Sequence, residues 1–289
     1  MTPRIGLIGI GEAGAAIGAG LRDANDLIVV GYDARGDDAV VRARAAAAGI
    51  RLVGSLGDLA AATDVLLCLT SAKVALSVAA AVAPHLGPDH VYADWNSASP
   101  QLKREIAHVV AATGASFVDG AVMAAVPPHR HRVPVLLSGG GAERLCAALG
   151  GLGMDLELLG PEPGQASAVK MFRSLLVKGL EALLLECAVG AHEYGVTERV
   201  LSSMNGTLPT DDWRELASYL LGRTVVHGAR RAEELRQVAR TLGDLGVEPL
   251  LADAGARRLQ WFADLGLGTD ATALDYDAVL ATVGKMRHQ

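Results

Sequence analysis

The sequence predicts an α/β domain built on a doubly wound parallel sheet, followed by an all-helical domain. Three observations carry that prediction. Short β-rich runs alternate with helical ones through roughly the first 160 residues, as in successive βαβ units. A glycine-rich turn joins the first strand to the first helix. Beyond the stretch GPEPG (Gly160–Gly164) only helical periodicity remains.

In chain order, the strand candidates are Arg4–Ile8, Leu27–Tyr32, Arg51–Val53, Asp64–Leu69, His90–Asp94, Ser116–Ala121, Pro134–Ser138 and Asp155–Leu159. Helical patterns at Gly11–Ala24, Ala39–Ala48, Ala72–Ala83 and Gln101–Thr113 fall between them. Such alternation places helices on both faces of the sheet. From Gln165 onward, helices are punctuated at Gly195, Gly206–Pro209, Gly222, Gly246 and Gly266–Gly268. The expected domains are therefore 1–162 and 163–289.

Composition narrows the function. A chain of 289 residues has ample length for a core, and its 51% hydrophobic but only 4% aromatic content suits alanine- and leucine-rich helix packing. A net charge of −6 gives no support for a nucleic-acid or anionic-membrane partner. Cys68, Cys146 and Cys187 form no CxxC pair and no metal-ligand spacing, so no metal is expected. Each cysteine lies in an apolar stretch and reads as a buried free thiol of a reducing compartment. The N-terminus runs directly into a strand pattern, and no stretch of about 20 uninterrupted apolar residues occurs. A cytoplasmic protein without a membrane span is expected.

The glycine turn is Gly9-Ile10-Gly11-Glu12-Ala13-Gly14, a GxGxxG placed after a strand and opening a helix. In that context Gly9 makes the tight turn, Gly11 admits a pyrophosphate to the backbone, and Gly14 lets helix and strand pack closely. The helix N-terminus adds N–H groups and partial positive charge. The domain thus reads as a Rossmann-type dinucleotide-binding fold. Asp33, ending the second strand roughly 20 residues beyond the last glycine, sits where a carboxylate accepts hydrogen bonds from the adenosine ribose and disfavours a 2′-phosphate. NAD is the expected cofactor; Arg35, two residues on, leaves NADP possible. Leu69, Thr70 and Ser71, after the fourth strand, fit the nicotinamide ribose. Asn96 and Ser97, in DWNSASP after the fifth, suit a carboxamide or carboxylate, and Ser97 or Ser99 before Pro100 also reads as a helix cap.

The run VKMFRSLLVKGLEALLLE (169–186) carries Lys170, Arg173, Ser174, Lys178 and Glu181. At 100° per residue these share an arc of roughly 140°. Such a stripe faces either solvent or a cleft, and for Lys178 and Glu181 a place in that cleft and a structural or subunit-interface role are equally open. Three further segments are read as surface features or site extensions. They are the basic HRHR (His129–Arg132), the RTVVHGARRAEEL run with His227, Arg230 and Arg231, and the turn in SMNGTLP.

The order of GxGxxG, D-x-N-S-x-S-P near residue 95, VDGAVM at 118–123, SGG at 138–140 and GQASAVKMFRS at 164–174 resembles the β-hydroxyacid dehydrogenase superfamily. Within it, KMFRSLLVKGLEAL and RTVVHGARRAEEL resemble a 6-phosphogluconate-dehydrogenase-like branch. The resemblance implies an NAD(P)-dependent oxidoreductase interconverting a small anionic hydroxy acid, sugar acids included, with its keto form. It puts the acid–base lysine at Lys170, and Gly120, Val122, Met123, Ser97, Arg173, Ser174, Lys178, His227 and Arg231 around the substrate. It further implies a homodimer formed through the helical domain. Two positions depart from the superfamily's pattern. Arg173-Ser174 stand where relatives carry Asn-Asn or His-Asn, and Met123-Ala124-Ala125 stand where many carry Ser-Gly-Gly. Two other readings share the fingerprint: an imine-reductase-like enzyme, whose relatives put Asp or Tyr at the Lys170 position, and a non-catalytic dinucleotide-binding protein.

Overall fold

A computed structural model describes residues 3–25, 27–204, 212–267 and 276–287. The chain divides into two compact units, one ending at Lys170 and the other beginning at Met171. The expected turn at Asn205-Gly206 lies outside the described residues.

In the first unit, β1 (Ile5–Ile8), α1 (Glu12–Asn25), β2 (Val29–Tyr32), α2 (Ala39–Ala48), β3 (Arg51–Leu52) and α3 (Leu56–Ala62) form the first half. They are followed by β4 (Val65–Cys68), α4 (Ala75–Val82), β5 (Val91–Asp94), α5 (Pro100–Ala111) and β6 (Ser116–Val122). The unit continues with α6 (Val126–His129), β7 (Val135–Ser138), α7 (Ala142–Leu149) and β8 (Leu156–Gly160). The strands make one sheet in the order β3-β2-β1-β4-β5-β6-β7-β8. Strand residues alternate between two cores, one on each face of the sheet. Ile5, Leu7, Val65, Leu67, Val91 and Ala93 join Ile17 and Leu21 of α1. Ile8, Leu66, Cys68 and Tyr92 join Ile106 and Val110 of α5. Burial on both faces is why the strands read as continuous apolar runs.

The sheet is mostly parallel, with one departure from the sequence reading: β7 runs antiparallel to β6, and β8 parallel to β7. The connection explains it. A parallel return normally runs through a crossover helix packed along the sheet, and this connection holds only the short α6 and one further turn at Arg130–Arg132. The helix expected from Ala72 starts at Ala75, because residues 71–74 are spent in a turn closed by Val74 N–H on the Ser71 carbonyl (3.2 Å). HRHR is not a solvated loop throughout. His131 is buried against α1, where Gly20 lacks the Cβ that would overlap the imidazole.

The second unit is helical in its described residues. It holds most of α8 (Gln165–Glu193), then α9 (Thr197–Met204), α10 (Trp213–Asp244), α11 (Leu250–Asp264) and α12 (Tyr276–Arg287). Helices α10 and α11 pack antiparallel, with Gly228 set against Leu259 and Ala263, and Gly255 against Leu235. Trp213, Leu220, Leu221, Phe262, Val279, Leu280 and Val283 centre its core. The three cysteines are free, but only Cys68 is buried; Cys146 is half-buried and Cys187 exposed. Apolar neighbours in sequence misled there, since residues adjacent on a helix point to different sides. No described helix is long and apolar enough to cross a membrane.

Candidate functional site

The glycine turn caps the C-terminal end of β1, beside the β1–β4 switch in strand order where open α/β sheets take their ligands. Gly9 has φ +94°, and a Cβ there would lie 2.7 Å from the Leu69 carbonyl oxygen and 2.9 Å from the Thr70 methyl. A Cβ on Gly14 would overlap the Gly9 carbonyl oxygen. Both positions therefore need glycine for the turn itself. Gly11 differs: nothing lies within 4 Å of a Cβ built on it. The protein gains nothing there from a missing side chain, so the clearance suits a ligand, as a pyrophosphate requires. Glu12 and Ala13 begin α1. Ile10 is held through both of its backbone polar groups. Its N–H donates to Asp33 Oδ2 (2.8 Å), and its carbonyl accepts from Arg44 Nη1 (3.2 Å). Asp33 Oδ1 accepts from the Arg35 N–H at 2.9 Å. Each carboxylate oxygen keeps acceptor capacity, so the group can hold the turn and still receive ribose hydroxyls.

Leu69 is buried, Thr70 half-buried and Ser71 exposed at the end of β4. Thr70 Oγ1 donates to Asn96 Oδ1 at 3.4 Å. Asn96 is buried and fixed from below, its Nδ2 donating to Asp94 Oδ2 (2.7 Å) and its backbone N–H to Asp94 Oδ1 (3.2 Å). Ser97 is exposed beside it, and Ser99 caps α5 by accepting from the Leu102 N–H.

Beneath this loop lies a fully buried charge cluster that sequence reading missed. The Lys103 ammonium donates to the Asp94 carbonyl oxygen and Oδ1, each at 2.6 Å, and lies 3.2 Å from Asp119 Oδ1. Burial alone would lower its pKa, but the two carboxylates outweigh that and hold it above the ordinary lysine value. Asp119 reaches on to the start of α8. Its Oδ2 accepts from the N–H groups of Gly164 (3.2 Å) and Ser167 (3.0 Å), and its Oδ1 from the Ser167 hydroxyl (2.7 Å). Ser138, opposite Asp119 in the β6–β7 ladder, donates to Asp119 and accepts from the Ala166 N–H at 3.0 Å. These bonds satisfy first-turn donors that a helix cannot satisfy itself. Lys170 follows Ser167 by three residues on the same helix and is half-buried. Gly120 is packed against the Trp95 indole, which a Cβ would overlap; Val122 is buried and Met123 half-buried.

This arrangement of turn, acidic strand end and sheet order has known counterparts. The model of the NAD binding domain of 6-phosphogluconate dehydrogenase matches residues 4–148, and a domain of unknown function (DUF1932) matches residues 191–262. The chain belongs to the 6-phosphogluconate dehydrogenase NAD binding domain family. A conserved hypothetical protein from Sinorhizobium meliloti 1021 is 38% identical with TM-score 0.86, covering 99% of this chain and 97% of that one. A conserved protein of unknown function, described as structurally similar to 3-hydroxyacid dehydrogenases, is 30% identical with TM-score 0.79 over 90% of this chain and 97% of that one. The fold is shared with a Mycobacterium tuberculosis 3-hydroxyisobutyrate dehydrogenase solved with L-serine, at 19% identity and TM-score 0.76 over 98% and 99% of the two chains.

Beyond the 6-phosphogluconate dehydrogenase-type domain, the remaining site candidates lie on α8 and α10. Arg173 is exposed and Ser174 half-buried. Lys178 is buried and pairs with Glu234 (2.9 Å); burial pushes its ammonium down while Glu234 opposes the shift. Arg231 is buried in an ion pair with Glu181. In the helical unit Lys178 and Arg231 are thus each matched by a carboxylate. His227 is exposed, and Arg230 bonds Glu234. Nothing in the sequence pattern pointed to Asp94, Lys103, Asp119, Ser138 or Ser167 as one cluster, because they come from five separate elements or connections.

Proposed function

We propose that the protein is a nicotinamide-dinucleotide-dependent oxidoreductase that interconverts a small anionic hydroxy acid and its keto form. The observation that carries this reading is the open space over Gly11 beside the Asp33-clamped turn, in the same unit as a lysine-bearing helix start held by buried side chains. The backbone from Gly9 to Gly14 would hold the pyrophosphate and Asp33 the adenosine ribose, favouring NAD over NADP; Thr70, Ser71 and Asn96 would flank the nicotinamide end. When bound, the dinucleotide supplies a hydride acceptor at its nicotinamide ring. Lys170 takes the substrate hydroxyl proton during oxidation and returns it in reduction. Arg173 offers a planar fork for a carboxylate or phosphate. The 3-hydroxyacid dehydrogenase likeness of relatives supports the substrate class.

The test is titration of wild type and Lys170→Ala with NADH and NADPH by tryptophan fluorescence, for which Trp95 beside Asn96 is a built-in reporter. A panel of hydroxy acids and sugar acids is then assayed at 340 nm. NADH binding by both proteins, with turnover lost only in Lys170→Ala, is expected. Binding of neither dinucleotide would remove the proposal, and tighter NADPH binding would transfer the ribose site from Asp33 to Arg35 and Arg44. We further propose a homodimer through the helical unit. Phe172, Leu176 (75% exposed) and Leu183 (61% exposed) support it by sharing one α8 face. Sedimentation at monomer mass would exclude it.

A further inference from the structure

The buried Asp94–Lys103–Asp119 cluster has no task in the chemistry above, yet it is among the most enclosed features of the first unit. All three side chains are wholly inaccessible. Burying three ionised groups costs several kcal/mol each before pairing offsets it, and an apolar trio would fill the same space without that cost. A cluster kept at such expense does something an apolar trio cannot, namely fix directions.

The directions are specific. One carboxylate, Asp94, orients the side chain and backbone N–H of Asn96, whose Oδ1 also receives Thr70. The other, Asp119, binds the Gly164 and Ser167 N–H groups and the Ser167 hydroxyl, setting where α8 begins and how it is rotated. Lys103 has one acceptor for each ammonium N–H: the Asp94 carbonyl, Asp94 Oδ1 and Asp119 Oδ1. It is the link between the two arms. One cation between two carboxylates also leaves a net negative charge, which the N-terminus of α8 complements. Asn96 and Lys170 are the groups assigned above to the nicotinamide end and to proton transfer.

We propose that Lys103 is a positioning residue that ties the Asn96 loop and the Lys170-bearing start of α8 to one another through Asp94 and Asp119. This rests on the functional reading above. Replacing Lys103 leaves both carboxylates without their shared donor, so both arms shift together.

The test uses the full chain and two readouts, neither needing the natural substrate. NADH affinity by tryptophan quenching reports the Asn96 arm. The titration midpoint of Lys170, followed by NMR after reductive 13C-methylation and assigned with Lys170→Arg, reports the α8 arm. Lys103→Met is expected to weaken NADH at least fivefold and to move the Lys170 midpoint by at least half a pH unit. Should Lys103→Met fail to fold, Ser167→Ala removes one Asp119 bond at the α8 end and is expected to move the Lys170 midpoint in the same direction. A folded Lys103→Met that changes neither readout, or only one, overturns the coupling, as does an unmoved midpoint in Ser167→Ala. If the wild type binds neither dinucleotide, the functional reading fails first and the coupling with it. If it binds and the variants behave as wild type, the coupling fails alone.

Discussion

At the scale of single residues, the three glycines of the turn look alike in sequence and differ in physics. Gly9 and Gly14 answer to the protein's own backbone, whereas Gly11 answers to empty space. Gly14→Ala is therefore expected to cost about 1–3 kcal/mol of stability through overpacking. Gly11→Ala should leave stability within about 0.5 kcal/mol yet weaken NADH at least tenfold, about 1.4 kcal/mol. Thermal melts and fluorescence titrations run in parallel separate the two effects; equal NADH affinity for Gly11→Ala and wild type would remove the pyrophosphate assignment. The motif itself was readable because its spacing is local. Arg44 was not, since its bond to the Ile10 carbonyl spans 34 positions.

At the scale of elements, the start of α8 is set by side chains from β6 and β7 rather than by a cap of its own. Asp119→Ala leaves first-turn N–H groups of α8 without their acceptor and Lys103 with an unmatched share of charge. Breaking such a buried pair costs about 3–5 kcal/mol, which a urea midpoint measures; a loss below about 1 kcal/mol would mean the cap is incidental. His131 makes a pH prediction. Burial lowers its pKa below the ordinary 6.5, helped by Arg132 and Arg130 and opposed by Asp23. A depressed histidine pKa means that the unfolded chain takes up the proton more readily. The stability at stake is thus present above about pH 6.5 and lost as pH falls below it. Between about pH 7.5 and 5.5, wild type is expected to lose more stability than His131→Leu; parallel losses would show that other groups control the acid limb. The basic run His129–Arg132 could not reveal this, because His131 is buried by Gly20 of α1, more than a hundred residues earlier.

At the scale of the whole molecule, each unit carries its own buried electrostatics. In the helical unit, Glu181 and Arg231 are 50 positions apart and pair inside the α8–α10 packing. Glu181→Leu or Arg231→Met alone is expected to cost about 3–5 kcal/mol by stranding the partner's charge, while the double variant returns close to wild type or above it. Additive losses in the double variant would mean that the two side chains do not act as a pair.

The sequence by itself determined the α/β-then-helical plan and the glycine turn with Asp33. Those features rest on periodicity and short-range spacing, which a chain displays before it folds. Only the tertiary structure decided the reversal of β7, the pairing of Lys178 and Arg231 with carboxylates, and the joining of Asp94, Lys103, Asp119, Ser138 and Ser167. The reason is physical. Strand direction depends on whether a connection can span the sheet, and a buried charge is tolerated only where distant elements bring its counter-charge within about 3 Å. Neither condition is written in any local stretch of residues.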